Sequence, residues 1–277
     1  METWLITGCS RGIGRSLAKV ALEKGYNVVL TARNPETLAD LAAGYPKQAL
    51  AVALDVTDLE AIKAAVETAE KRFGGVDVLV NNAGYAYRAA IEEGEWSKVE
   101  ALYKTNLFGP IQLIRAVLPH MRAQKKGAII NFSSIAAVKA AVGSGYYASA
   151  KAGLEGMSSS MRRELAPLGI KVMVVEPGPF RTGFQDALTD STTQIGDYAA
   201  TAWKTRKANL HITHDEQGDP DRAAEIIVDT IAGDDYPEHL ALGASAVDYI
   251  KTTFQERLQE IDQWADVSRK ADFPAGE

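Results

Sequence analysis

A single cysteine, Cys9, in 277 residues leaves no disulfide framework and favours a reducing compartment. No apolar run approaches the roughly 18 residues of a membrane span; the longest, residues 49–54 and 76–80, have strand length. The chain opens Met1-Glu2-Thr3-Trp4-Leu5-Ile6 and meets a glycine loop at Thr7. That leaves no room for a basic segment followed by an apolar one, so no signal peptide is expected. Basic residues are outnumbered, 30 against 36, and the net charge of −6 argues against a nucleic-acid partner. Repeats and low-complexity tracts are absent. These shortages together predict a cytoplasmic protein with no membrane and no nucleic-acid partner.

What is present is an ordinary globular composition, 46% hydrophobic and 24% charged. A chain this long can bury roughly three quarters of its unfolded surface, enough for one large domain over residues 1–277. Strand-like runs at residues 4–7, 27–31, 48–54, 77–80, 128–132, 171–175 and 240–242 alternate with helical patterns. The helices are expected at about 12–24, 35–43, 58–73, 95–124, 146–166 and 219–232, with an amphipathic tail helix over 245–268. Residues 183–218 read as irregular. Such alternation indicates parallel βαβ units in an α/β, doubly wound sheet, whose ligands bind at the carboxyl ends of the strands.

Thr7-Gly8-Cys9-Ser10-Arg11-Gly12-Ile13-Gly14 lies between the first strand and the first helix. Backbone without Cβ can approach a pyrophosphate there, and the helix N-terminus favours its charge. The spacing is Gly-x3-Gly-x-Gly, not Gly-x-Gly-x-x-Gly, and no Gly-Lys-Ser/Thr follows to make a Walker loop. The second strand ends Leu30-Thr31-Ala32-Arg33-Asn34, with an arginine where an NAD site wants a carboxylate. Arg33 and Arg11 together can clamp a 2′-phosphate, so NADP(H) is expected in preference to NAD(H).

These features resemble the classical short-chain dehydrogenase/reductase family. The glycine loop is similar to the family's, as are Leu54-Asp55-Val56, Asn81-Asn82-Ala83-Gly84, Asn106-Leu107-Phe108-Gly109 and Ile130-Asn131-Phe132-Ser133-Ser134. Tyr147-Ala148-Ser149-Ala150-Lys151 matches Tyr-x-x-x-Lys, and Pro177-Gly178-Pro179-Phe180-Arg181-Thr182 follows. A lone Tyr-x-x-x-Lys would be a poor hit; seven motifs in one order, each at an expected strand end, carry the resemblance. It implies a Rossmann-type fold with seven parallel strands flanked by helices on both faces, and a carbonyl reductase or alcohol dehydrogenase.

Carbonyl reduction needs a hydride donor and a proton donor at the carbonyl oxygen. Tyr147 and Lys151 share one helix face as an i, i+4 pair, and a nearby ammonium should lower the tyrosine pKa. The resemblance implies Tyr147 as general acid/base, Lys151 as its tuner and ribose ligand, and Ser134 as the group orienting the carbonyl. The family's thirteen-residue spacing selects Ser134 with Tyr147 over Ser133 and Tyr146. Asn106 would join a proton relay through water. Pro110, four residues on, has no N–H, which frees the Asn106 carbonyl for that water. The resemblance also implies that Asp55 and Val56 touch adenine, and that Asn81, Ala83 and Gly84 shape the adenosine side. Pro177, Gly178, Phe180 and Thr182 would receive the nicotinamide end.

Residues 183–218 are expected to cover substrate, with Phe184, Leu188 and Trp203, joined by Tyr85 and Val142, forming an apolar pocket for a hydrophobic or aromatic carbonyl compound. His211 and His214 are a metal pair with no third ligand compelled, so no metal is expected. Cys9 reads as a small buried residue. The tail over about 243–277 carries Val247, Ile250, Phe254, Leu258, Ile261 and Trp264 at heptad-like spacing, for packing on its own domain or between subunits. The resemblance implies a homodimer or homotetramer. The competing readings are a non-catalytic NADP-binding regulator, opposed by the intact Ser134, Tyr147 and Lys151, and an NAD-preferring alcohol dehydrogenase, opposed by the missing acid.

Overall fold

The computed structural model describes residues 1–205 and 215–273, with the side chain of Asp186 excepted. Its centre is a seven-stranded sheet in the order β3-β2-β1-β4-β6-β7-β9, every neighbouring pair parallel. The strands are β1 (Thr3–Ile6), β2 (Asn27–Ala32), β3 (Ala49–Ala53), β4 (Val78–Asn81), β6 (Gly127–Phe132), β7 (Ile170–Pro177) and β9 (His239–Leu242). The expected α/β, doubly wound architecture is therefore observed. Along β1, Trp4 and Ile6 enter one apolar layer and Leu5 the other, as a strand buried on both faces requires. The first layer packs under α1 (Gly12–Glu23) and α8 (Pro220–Ala232). The second packs under α3 (Leu59–Phe73), α5 (Gly109–Gln124) and α7 (Gly145–Leu165).

Local chemistry sets the helix ends. The Asp58 carboxylate accepts from the N–H groups of Glu60 and Ala61 at the start of α3, and Gly74 closes that helix at φ 93°. Asp219 caps α8 in the same way, with Pro220 in its first turn. The sequence predicts one helix over 95–124, but the structure breaks it. α4 (Trp96–Tyr103) passes into a π turn, Lys104–Phe108, before α5 begins. Pro110 offers no N–H to the Asn106 carbonyl, and the chain widens there to an i→i+5 bond from Gly109 N–H to the Lys104 carbonyl. Residues 35–43 likewise divide into a 3₁₀ turn, Pro35–Leu38, and a short α2 (Ala39–Gly44).

Three further elements carry no signal in the sequence. β5 (Tyr87–Arg88) pairs in parallel with β8 (Thr189–Asp190), tying the expected lid to the loop after β4. α6 (Ile135–Val138) is one turn capped by Ser134, whose Oγ accepts from Ala136 N–H. The tail is a helix as expected, α9 (Ala244–Ser268). Among the described residues no helix is long and apolar enough to cross a membrane.

Candidate active site

The carboxyl ends of β1, β2, β4, β6 and β7 open onto one cleft of about 1440 Å³. Its floor is the glycine loop. Gly12 sits at φ 61°, a left-handed conformation that side chains rarely adopt, and faces Thr182. A Cβ on Gly14 would overlap the Asn82 amide and stand 2.6 Å from the Gly8 carbonyl oxygen. The loop is stitched to the end of β4 by Thr7 and Asn82. Thr7 Oγ1 accepts from the N–H groups of Asn82 and Ala83, both at 2.9 Å, and Asn82 Nδ2 donates to the Thr7 carbonyl at 2.8 Å. Gly8, Ser10, Arg11, Gly12 and Ile13 line the cleft, as do Arg33, Asp55, Val56, Ala83, Gly84, Pro177, Gly178, Phe180 and Thr182. Hydrogen bonds from the Thr57 N–H and hydroxyl hold the Asp55 carboxyl below its ordinary range, with a smaller contribution from the exposed Arg33 guanidinium.

Ser134, Tyr147 and Lys151 meet at the inner end. Lys151 is buried; its Nζ donates to the Phe132 carbonyl at 2.6 Å and lies 5.9 Å from the Tyr147 ring centre. Burial pushes the Lys151 ammonium down to about 8, against the opposing charge of Glu155. Burial also pushes the Tyr147 phenol up to about 12, offset in part by a hydrogen bond with Ser134. The expected lowering by Lys151 is not seen: burial, which penalises phenolate, sets the direction. Burial thus favours the protonated phenol at Tyr147. Phe184 flanks it, ring centres 6.2 Å apart, and Tyr85 lines the opposite wall.

Asn106 is fully buried and pins the neighbouring loop. Its Oδ1 accepts from Tyr85 N–H at 3.2 Å, and its Nδ2 donates to the Tyr85 carbonyl at 2.8 Å. Several expected site residues lie elsewhere. Asn81 points behind the cleft wall and donates to Asn131 Oδ1 at 2.8 Å; Asn82, on the opposite side of the alternating chain, takes the wall position. Gly14 is buried beneath the loop, on the Asn82 side chain. Val142 is exposed on the turn before α7, and Leu188 stands between the cleft-lining Ala187 and Thr189 without lining it. Trp203 serves as a lid anchor, its indole N–H donating to Glu93 Oε1 at 2.8 Å. Cys9 is buried, its thiol pushed up to about 12, and donates to the Ile6 carbonyl. His211 and His214 fall outside the described residues.

The sequence reading missed a polar cluster one turn beyond Lys151. Ser133 Oγ donates to Glu155, and His239 Nδ1 lies 3.0 Å from the buried Glu176 carboxylate, which is itself within hydrogen-bonding reach of Glu155. Burial, with Glu176 beside it, pushes the Glu155 carboxyl up to about 7. These three residues come from α7, β7 and β9, so only the fold assembles them. Among the described residues they are the one His/Cys/Asp/Glu group close enough for a metal, but their ligand atoms already engage one another and Ser133.

A glycine-floored cleft at strand carboxyl ends, with exposed arginines at one end and a serine, tyrosine and lysine at the other, is the layout of a Rossmann-type dinucleotide enzyme. The comparisons narrow this. The short chain dehydrogenase family profile matches residues 2–193. An oxidoreductase of Botryotinia fuckeliana is 35% identical over 268 residues, 96% of this chain and 98% of that protein. The crystal structure of a short-chain dehydrogenase from Streptomyces avermitilis superposes with a TM-score of 0.91 at 39% identity, covering 98% of this chain and 100% of the other. A metagenomic short-chain oxidoreductase in complex with NADP gives a TM-score of 0.67 at 30% identity, over 86% and 95% of the two chains. The chain belongs to the short-chain dehydrogenase family. It is an oxidoreductase with a nicotinamide cofactor.

Proposed function

We propose that the protein is an NADP(H)-dependent reductase that interconverts a hydrophobic or aromatic ketone or aldehyde and its alcohol. The convergence of Ser134, Tyr147 and Lys151 at the inner end of a cleft whose outer end carries Arg33 and Arg11 supports this reading most directly. The glycine loop from Gly8 to Gly14 would hold the pyrophosphate. Arg11 and Arg33 would clamp the 2′-phosphate by charge-assisted hydrogen bonds. Asp55, Val56, Ala83 and Gly84 would enclose the adenosine, and Pro177, Gly178, Phe180 and Thr182 the nicotinamide. Lys151 Nζ stands 3.5 Å from where a Cβ on Gly84 would sit, so the bare main chain there keeps the ammonium uncrowded. The reduced cofactor supplies the hydride.

Ser134 Oγ orients the carbonyl oxygen. Tyr147, kept protonated by burial, gives its proton to that oxygen as the carbon–oxygen double bond is reduced. Lys151 holds the ribose and the site's positive charge. Reprotonation of Tyr147 would run past Lys151 towards the Asn106 carbonyl, which Pro110 deprives of an α-helical donor. Tyr85 and Phe184 would hold the apolar body of the substrate. The single domain over 1–277 is part of this reading, with a lid at about 183–218.

The test is oxidation of NADPH and NADH, followed by loss of reduced-nicotinamide absorbance, over aromatic ketones, diketones, quinones and steroids. Tyr147→Phe is run alongside. Turnover with NADPH that collapses in the variant is expected. Tight NADPH binding with no turnover across the panel would overturn the reading in favour of a cofactor-binding regulator, and a lower KM for NADH would overturn the cofactor preference.

A further inference from the structure

The tail helix α9 begins buried and ends bare. Ala246 and Ile250 pack on the domain, Tyr249 Oη donates to the Lys139 carbonyl at 3.0 Å, and Glu256 pairs with Lys139 at 2.6 Å. Among the described residues, no hydrogen bond or ion pair ties a later α9 side chain to the domain. Yet the apolar stripe continues: Val247, Ile250, Phe254, Leu258, Ile261 and Ala265 recur at three- and four-residue steps on one face, with Trp264 at its edge. Phe254, Leu258, Ile261 and Trp264 are 56%, 60%, 53% and 53% exposed. A contiguous bare stripe of this kind, unlike scattered apolar residues, marks a contact surface.

The charges beside the stripe name the occupant. Arg257 and Glu260 lie along one edge, Lys251 and Asp262 along the other. An antiparallel copy of the same helix, centred on Leu258, brings Phe254 to the partner's Ile261, and Arg257 to the partner's Glu260. It also brings Lys251 to the partner's Asp262. The central layers Phe254–Ile261 and Leu258–Leu258, and the flanking pairs Arg257–Glu260 and Lys251–Asp262, are each matched twice, to within about one turn, by one two-fold operation near Leu258, as an isologous contact requires. A lipid surface fits poorly, because α9 carries five carboxylates against Lys251 and Arg257, where interfacial helices are rich in Lys and Arg.

We propose that α9 pairs antiparallel with α9 of a second copy of this chain, across a two-fold axis at Leu258. The full-length protein is tested by single cysteines, with Cys9 buried and out of reach. Leu258→Cys forms an intermolecular disulfide on mild oxidation. Phe254→Cys and Ile261→Cys alone do not, but the two variants mixed do. In sedimentation, Leu258→Asp at least halves the assembly mass with helicity retained. Arg257→Glu weakens association about tenfold, and adding Glu260→Arg restores it. The proposal fails if Leu258→Asp leaves the mass unchanged, or if Phe254→Cys cross-links to itself as well as Leu258→Cys does. It fails equally if Leu258→Asp abolishes binding to phosphatidylcholine–phosphatidylserine vesicles while the mass stays that of the wild type, since the occupant is then a lipid surface.

Discussion

The glycine loop, residues 7–14, and the segment 183–203 both contribute to the cleft and are held by different means. On the cofactor side the main chain does the work. Gly8 to Gly14 leave no space for side chains, and the loop is tied down through Thr7 and Asn82 at the end of β4. Residues 183–203 are held by the β5–β8 main-chain pair and, beyond it, by side chains that reach across. Glu93 Oε1 accepts from Ile195 N–H at 2.7 Å and from the Trp203 indole at 2.8 Å. Arg88 grips Asp190 with two hydrogen bonds, at 2.7 and 3.1 Å. Main-chain geometry at strand ends tolerates few sequences, whereas a lid held by side chains can be rebuilt with others. On the proposed function, that difference separates where chemistry and where specificity would be stored.

The largest test of the contrast is Tyr147→Phe, which removes the proposed proton donor and should lower kcat on the order of 10³-fold with NADPH affinity kept. A fall of only a few-fold would mean that the lid, not this hydroxyl, controls the rate. Arg33→Glu should raise the KM for NADPH by about 10–100-fold and leave that for NADH unchanged or lower, since hydrogen bonds to a charged phosphate are lost. Gly14→Ala forces a Cβ onto Asn82 and the Gly8 carbonyl, and should cost about 1–3 kcal/mol of stability, read as a lower Tm and weaker cofactor binding. Glu93→Ala strands the Ile195 and Trp203 donors, among others, and should cost a similar ~1–3 kcal/mol, but it should raise the KM of the carbonyl substrate and spare that of NADPH. Equal effects on both Michaelis constants would break the division between the two sides.

The smallest expected effect is a pH dependence of stability. The Glu155 carboxyl rises from 4.5 to about 7 on folding, so its contribution is complete below pH 4.5 and is lost as pH climbs through 7. The Lys151 ammonium falls from 10.5 to about 8, so its contribution is complete above pH 10.5 and is lost as pH drops through 8. Thermal unfolding should therefore show Tm declining from pH 4.5 to 7, an arm that Glu155→Gln flattens. An unchanged slope in that variant would remove Glu155 as its source.

The periodicity and capping residues made most of the fold legible. Asp58 and Asp219 cap α3 and α8 as their positions require, and the buried strands stand out as short apolar runs. The break in the 95–124 helix was half legible: Pro110 is visible, but which carbonyl bond the chain would substitute is not. Asn81 and Asn82 show the limit for the site. Adjacent asparagines look alike in a motif, yet alternation along the chain sends one to the cleft wall and one to Asn131 behind it.

The sequence by itself determined the order of strands and helices, the glycine loop, and the Tyr147–Lys151 pair, because each depends on residues within a few positions of one another. Only the tertiary structure decided that burial raises the Tyr147 phenol, and that β5 meets β8. It alone brought Glu155, Glu176 and His239 together. Solvent exclusion and contacts between distant segments are properties of the packed chain, and no local spacing encodes them.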